Sequence, residues 1–215
     1  MSLSSRTRLA FCILVCATSI AFASTGRLAN PDERPPSRNG SVLPRWLKRS
    51  PFDLQIEDQL AKLRSKSQLA RAGAAEALGY LRAYSSASAL AEALRDPSEL
   101  VRREAAMSLA WCGGREHVEP LLDDLEDEEW SVRQAAWVSL TNLTGMNWHF
   151  DGMAEPGGRQ KQVRLWREWW AGTQDSQVPA EVCALLGGDS LSEHVRAARA
   201  LGALGGDGAA KMVIS

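Results

Sequence analysis

VRREAAMSLA at residues 101–110 and VRQAAWVSL at residues 132–140 decide how the rest of the chain reads. Both strings open on Val-Arg, carry paired alanines and reach a Leu seven positions after the Arg. Arg71, Arg102 and Arg133 stand 31 residues apart, and so do Leu78, Leu109 and Leu140. A looser copy runs from Arg196 to Leu201. A fixed period near 30 with helical spacing is the mark of stacked helix pairs. Val101, Ala105, Leu109 and Cys112 share one helical face, and Val132, Ala136, Leu140 and Leu143 repeat it. The alanines let neighbouring helices approach closely, which matters because no single pair can bury its apolar face alone.

A first helix precedes each alanine-rich one. Leu54, Ile56, Leu60 and Leu63 have helical spacing, as do Ala87, Leu90 and Leu94, then Val118, Leu121, Leu122 and Leu125. Polar turns join the two helices of a pair. Asp96-Pro97-Ser98-Glu99 predicts an N-cap, a proline at the first helical position and a capping-box acid. Asp127 and Ser190-Leu191-Ser192-Glu193 predict similar caps. Period-2 alternation, which strands require, is absent from the pattern. The expectation is an all-α chain whose helices run ten to fifteen residues, about 15–22 Å.

VRREAAMSLA, VRQAAWVSL and HVRAARALGALG at residues 194–205 together resemble HEAT-like repeats, including the short form named after phycobilisome lyases. The likeness covers most of the chain from Leu54 onward. It implies a right-handed α-α superhelix, a HEAT-like solenoid of about four helix pairs, with the second helices on the concave side. The run from Leu143-Thr144-Gly145 to WREWW at 166–170 is similar to a segment of exported bacterial HEAT-repeat proteins. It implies an inserted loop and helix, residues 146–172, that brace the solenoid. Composition reads Met146 to Gln162 as the loop, on its Asp151-Gly152 and Pro156-Gly157-Gly158, and Val163 to Ala171 as the helix.

The flanks divide into three parts. Arg6 and Arg8, an apolar run from Leu9 to Ile20, and Ala21-Phe22-Ala23 read as a secretory signal peptide over residues 1–23. The apolar run is short for a membrane span, and an uncleaved anchor is the rival reading. Residues 24–52 hold Pro31, Pro35, Pro36, Pro44 and Pro51 among scattered arginines, a linker too poor in apolar surface to offset its ordering entropy. Trp46-Leu47 is its one segment suited to docking on the repeats. Residues 53–215 form the repeat domain. Residues 206–215 read as the opening of another first helix without a polar end cap, which suggests a fragment of a longer protein, with an end that meets a partner as the rival reading.

Charge and side-chain chemistry narrow the function classes. The formal net charge is −1, and −3 without the first 23 residues, a poor match for nucleic-acid or anionic-membrane binding. Cys112 and Cys183 sit among apolar neighbours as small hydrophobes, and whether they can form a disulfide depends on geometry. No spacing suits haem or structural zinc. His117, His149 and His194 fall in different units, and the His149–Asp151 pair lacks a nucleophile, so neither cofactor, metal nor catalytic residue is assigned. The six acids among Asp123–Glu129 do not fit a calcium loop and read as a solvated turn. The aligned arginines could form an anion-binding ladder, but bonding to Asp96, Asp127 or Asp189 in a neighbouring turn is the stronger reading. Trp166, Trp169 and Trp170 read as an apolar anchor under the inserted loop ahead of a ligand platform.

The remaining candidates lie about half a helix turn off the core stripe. Glu76, Arg103, Met107, Gln134 and Val138, with Trp137 one residue off the stripe, form the candidate concave surface for a protein or peptide partner. The resulting reading is an exported, periplasmic or extracellular, non-enzymatic scaffold. A phycobilin-lyase-like enzyme, an accessory module of a larger exported enzyme, and a HEAT-like DNA glycosylase are the rivals. The export signal opposes the first and the acidic balance opposes the last.

Overall fold

The computed structural model describes residues 50–173 and 180–204. The leader, nearly all of the linker with Trp46-Leu47, and residues 205–215 therefore lie outside the described residues. Among the described residues the structure is helical and contains no strand. The helices are α1 (Pro51–Lys62), α2 (Gln68–Tyr80), α3 (Ala87–Ala93), α4 (Glu99–Cys112), α5 (Val118–Asp124), α6 (Trp130–Thr144), α7 (Pro156–Ala171), α8 (Ala180–Leu186) and α9 (Leu191–Leu204). α1 pairs with α2, α3 with α4, α5 with α6 and α8 with α9, while α2, α4, α6 and α9 pack in one row. This is the all-α helical-repeat stack that the 31-residue period requires.

Three local expectations are corrected. α3 and α5 are seven residues each, shorter than predicted. Single 3₁₀ turns, Tyr84–Ser86 and Arg115–His117, lead into α3 and α5 and take up part of the missing length. α1 begins at Pro51, ahead of its first periodic apolar residue, because proline suits the first turn, where an N–H has no helical partner. α7 begins at Pro156, so Pro156-Gly157-Gly158 opens the helix instead of belonging to the loop, for the same reason.

The core is the alanine-leucine seam of the sequence. Ala75, Leu78, Ala105, Ala106, Leu109, Ala136 and Leu140 are buried, and Leu90, Leu121, Leu122 and Leu125 from the first helices close over them. Each such leucine contributes about 1.5–3 kcal/mol relative to exposure. Two buried serines repeat at the same period. Ser108 donates to the carbonyl of Ala75 at 2.8 Å, and Ser139 donates to that of Ala106 at 2.6 Å, joining successive second helices. Gly79 makes the first of these contacts possible. A Cβ there would stand 2.5 Å from Ser108 Oγ and 3.0 Å from its Cα.

The turns are joined by arginines. Arg71 donates to both carboxylate oxygens of Asp96, at 2.6 and 2.7 Å, and Arg102 to both of Asp127, at 2.8 and 3.0 Å. Nη1 of each also reaches the backbone of its own turn: Ser65 and Lys66 for Arg71, Asp96 and Pro97 for Arg102. Asp96 and Asp127 accept the N–H of Ser98 and Glu129, two residues on. They therefore cap the turns, and the N-cap of α4 is Ser98, not Asp96. The guanidinium of Arg71 holds the Asp96 carboxyl below the usual carboxylate range. Arg133 finds no aspartate at the corresponding place. Its Nε donates to the carbonyl of Gly152 in the inserted loop, at 2.7 Å. Asp189, in the turn ahead of α9, does not take that place, because Arg133 Nε is already bound to the Gly152 carbonyl.

Losing the Arg102 guanidinium leaves the nearly buried Asp127 carboxylate with only the Glu129 N–H, and takes the side-chain donor from the carbonyls of Asp96 and Pro97. Arg102→Met is expected to lower unfolding stability by about 3 kcal/mol in urea titration. Arg102→Lys should recover only part of the loss, since an ammonium cannot make the fork. A change within about 0.5 kcal/mol, the range of an ordinary surface substitution, would show that the pair is not structural.

Candidate interaction groove

α4 and α6 leave a groove of about 230 Å³ on the open side of the second-helix row, lined by Arg103, Met107, Trp130, Ser131, Gln134, Ala135 and Val138. Its position follows from the helical period. On α4, Arg103 and Met107 are four apart and lie off the stripe that carries Val101, Ala105 and Leu109 into the core. On α6, Gln134 and Val138 repeat that placement 31 residues later. The walls are the apolar parts of Met107, Ala135, Val138 and Trp130. Arg103 is satisfied within its own helix, its guanidinium donating to Glu104 at 2.6 and 3.0 Å.

The structure thus brings four of the six candidate residues together, Arg103, Met107, Gln134 and Val138. Glu76 is exposed on α2, one repeat before Met107, and lies beyond the groove. Trp137 is not in it. Its indole N–H donates to the carbonyl of Trp148 at 2.8 Å, which turns the ring towards the inserted loop. The groove tryptophan is Trp130, 51% exposed at the start of α6. Helical periodicity places Trp130 and Trp137 on neighbouring strips of one helix, and the loop chooses between them.

The other candidates resolve into packing. Trp166 and Trp170 are buried, and Trp148, Trp166 and Trp169 form a cluster with ring centroids 5.1–6.1 Å apart. The Arg115 guanidinium lies 4.7 Å from the Trp170 ring. Arg167 of α7 donates to Asp123 at 2.8 Å and stands 3.7–3.9 Å from Glu126 and Glu119, so part of the acidic turn anchors the inserted helix. Trp148 was not singled out in the sequence, because an isolated tryptophan in a loop carries no periodic signal. Cys112 is buried, its thiol pushed up to about 11 by burial, and no disulfide joins it to Cys183. His117 is buried with Nδ1 accepting the N–H of Gly114 at 2.9 Å, while His149 is exposed in the loop.

A second cleft, about 300 Å³, opens between α3 and α5 and is lined among others by Glu92, Arg95, Glu116, His117, Asp123 and Asp124. Asp124 Oδ2 is buried without a hydrogen-bond partner. Burial, reinforced by Asp127 and Asp123, pushes its carboxyl up to about 8.

The family model for HEAT repeats matches residues 56–141, from α1 nearly to the end of α6. No curated protein matches the chain.

Asp124 should give the fold a pH dependence of its own. Below about pH 4 its carboxyl is protonated folded and unfolded. Between pH 4 and 8 the unfolded chain releases the proton while the folded protein keeps it, so stability falls as pH rises. The slope approaches 1.4 kcal/mol per pH unit at most. Urea titrations at pH 5 and pH 8 are expected to show wild type losing stability across this window relative to Asp124→Asn. Parallel behaviour of the two proteins would contradict it.

Proposed function

We propose that this HEAT-like repeat protein is an exported, non-enzymatic scaffold that holds a protein or peptide partner in the groove between α4 and α6. The observation that carries the reading is where apolar surface remains open. The alanine-leucine faces of α2, α4 and α6 are buried against their neighbours, while Met107 and Val138 remain partly exposed and Trp130 is half-exposed beside them. Apolar side chains facing a shallow, open groove with aromatic and arginine neighbours suit a partner's side chains.

Two further features support a holding role. HEAT repeats are in general a scaffold family. The charged groups that might otherwise suggest chemistry, Arg71, Arg102, Arg133 and Arg167, are bound to turns or to neighbouring helices. Export is supported by the basic start, the short apolar run and Ala21-Phe22-Ala23.

A photoreactive benzoylphenylalanine placed at Val138 is expected to crosslink to a protein in intact cells, and the same group at Glu126 is not. Met107→Glu should reduce the Val138 adduct at least tenfold, because a carboxylate in the groove must be desolvated for the partner to dock. Equal adducts at both positions, or none, would remove the groove from the proposal.

Export has a separate test. Protein recovered from cells is expected to begin at Ser24 and to fractionate with the envelope or the medium. An intact Met1 start in the cytosol would leave a scaffold that is not exported.

A further inference from the structure

We infer that the open face of the second-helix row selects an apolar peptide segment bearing a carboxylate, and that Arg82 and Arg199 receive that carboxylate. The inference rests on the groove reading above and deepens it by naming the partner's chemistry.

The 31-residue period sets Tyr80, Trp111 and Asn142 at one level of the row, four residues beyond Glu76, Met107 and Val138. Trp111 is 38% exposed. Two guanidiniums reach its ring, Arg82 at 5.3 Å from the centroid and Arg199 at 4.6 Å. They come from different parts of the row. Arg82 follows α2, whereas Arg199 projects from α9 and also donates to Asn142 Oδ1 at 2.6 Å. Arg82, Trp111, Asn142 and Arg199 thus form a line along one end of the open face, spanning α2, α4, α6 and α9.

Both arginines are exposed, and among the described residues neither meets a carboxylate. This sets them apart from Arg71, Arg102, Arg103, Arg164 and Arg167, each paired with an acid. A guanidinium stacked on an indole keeps its in-plane N–H donors available for a planar anion. The backbone adds a further indication. Arg82 has φ 49°, and among the described residues it is the one non-glycine residue with positive φ. A helix usually gives that left-handed position to glycine, so holding arginine there is costly and places this guanidinium over Trp111.

Charge sets the partner's sign at this end of the face. Residues 50–215 carry 17 Lys and Arg against 24 Asp and Glu, so a general basic patch is not the background. On the open face Glu104 is occupied by Arg103, and Glu76 is an exposed acid one helical turn from the Arg82 level. An incoming segment therefore meets apolar Met107, Val138 and Trp130 along the groove and two guanidiniums beyond it. The chain's own residues 24–49, with six Lys and Arg against Asp32 and Glu33, have the wrong sign to satisfy that end.

Random dodecapeptides displayed on phage would be selected on the full chain, with a Met107→Glu, Val138→Glu double variant for counter-selection. The expected winners pair apolar residues with Asp or Glu. The best of them, synthesised, should bind the Arg82→Gln, Arg199→Gln protein at least tenfold more weakly. Its acid-to-Gln version should bind wild type and that variant alike. Because the acid-to-Gln peptide leaves the protein untouched, the comparison on wild type holds even if the arginine variant folds poorly. The indole N–H resonance of Trp111, assigned with Trp111→Phe, should shift with the acidic peptide. Winners that are neutral or basic, or an acidic peptide indifferent to the two arginines, would overturn the inference and leave the groove standing. No enrichment over the counter-selected protein would sink the groove and the inference together.

Discussion

Arg102 is bound to two turns at once, and the regularity of the stack depends on that double hold. Its Nη1 gathers the carbonyls of Asp96 and Pro97 at the start of its own helix, and its Nε and Nη2 take the carboxylate of Asp127 in the next turn. The Asp96 that offers Arg102 a backbone carbonyl also receives Arg71 on its side chain. Asp127 plays the same double part between Arg102 and Arg133. The turns therefore form a continuous chain of charge-assisted bonds in which every junction is shared by two repeats. Burial of leucine and alanine supplies most of the stabilising free energy, but it is non-directional. The fork geometry of the arginines sets the spacing from one pair to the next.

The insertion shows how much of that arrangement is geometric. Where a fourth turn with its aspartate would be due, the chain departs into the loop ahead of α7, and the carbonyl of Gly152 takes Arg133 Nε. A backbone dipole there replaces a charge, and the Arg133 guanidinium is accordingly held below its ordinary range by burial and by Arg159. α9 then resumes the row against α6, but over a smaller contact than α2 makes with α4 or α4 with α6. Gly145 is the hinge between these two paths. Its φ of 74° ends α6 in the left-handed region, and a Cβ on it would come within 3.1 Å of Ala200 on α9.

Interactions written into the chain at a fixed interval were legible before any coordinates. Arg71 and Arg102 with their aspartates, the alanine seam and the pairing of helices all follow from the 31-residue period, and helical spacing sets Arg103, Met107, Gln134 and Val138 together off the core stripe. Features that occur once were not. Trp137 could not be assigned to groove or loop without knowing that the Trp148 carbonyl waits beside it. Pro156-Gly157-Gly158 has the composition of a loop, and only its position at a helix start reverses that reading. The meeting of Arg82, Trp111 and Arg199 joins residues 29 and 88 positions apart, contributed by repeats of different register. No local pattern encodes such a contact.

This division between periodic and singular features bears on how the open face came to differ from the rest. Positions facing a neighbouring helix are constrained by volume: Ser108 must fit against Gly79 and the carbonyl of Ala75, and Ser139 against that of Ala106. Positions half a turn away meet no such limit, and there the repeats diverge. Glu76, Met107 and Val138 occupy one level, and Tyr80, Trp111 and Asn142 the next, with a different side chain in each repeat. A solenoid whose packing is secured by recurring rungs can carry a non-repeating surface at little cost to stability, because changing that surface leaves the arginine forks and the alanine seam intact. The open face is therefore the part of the fold where the sequence is freest to encode a partner.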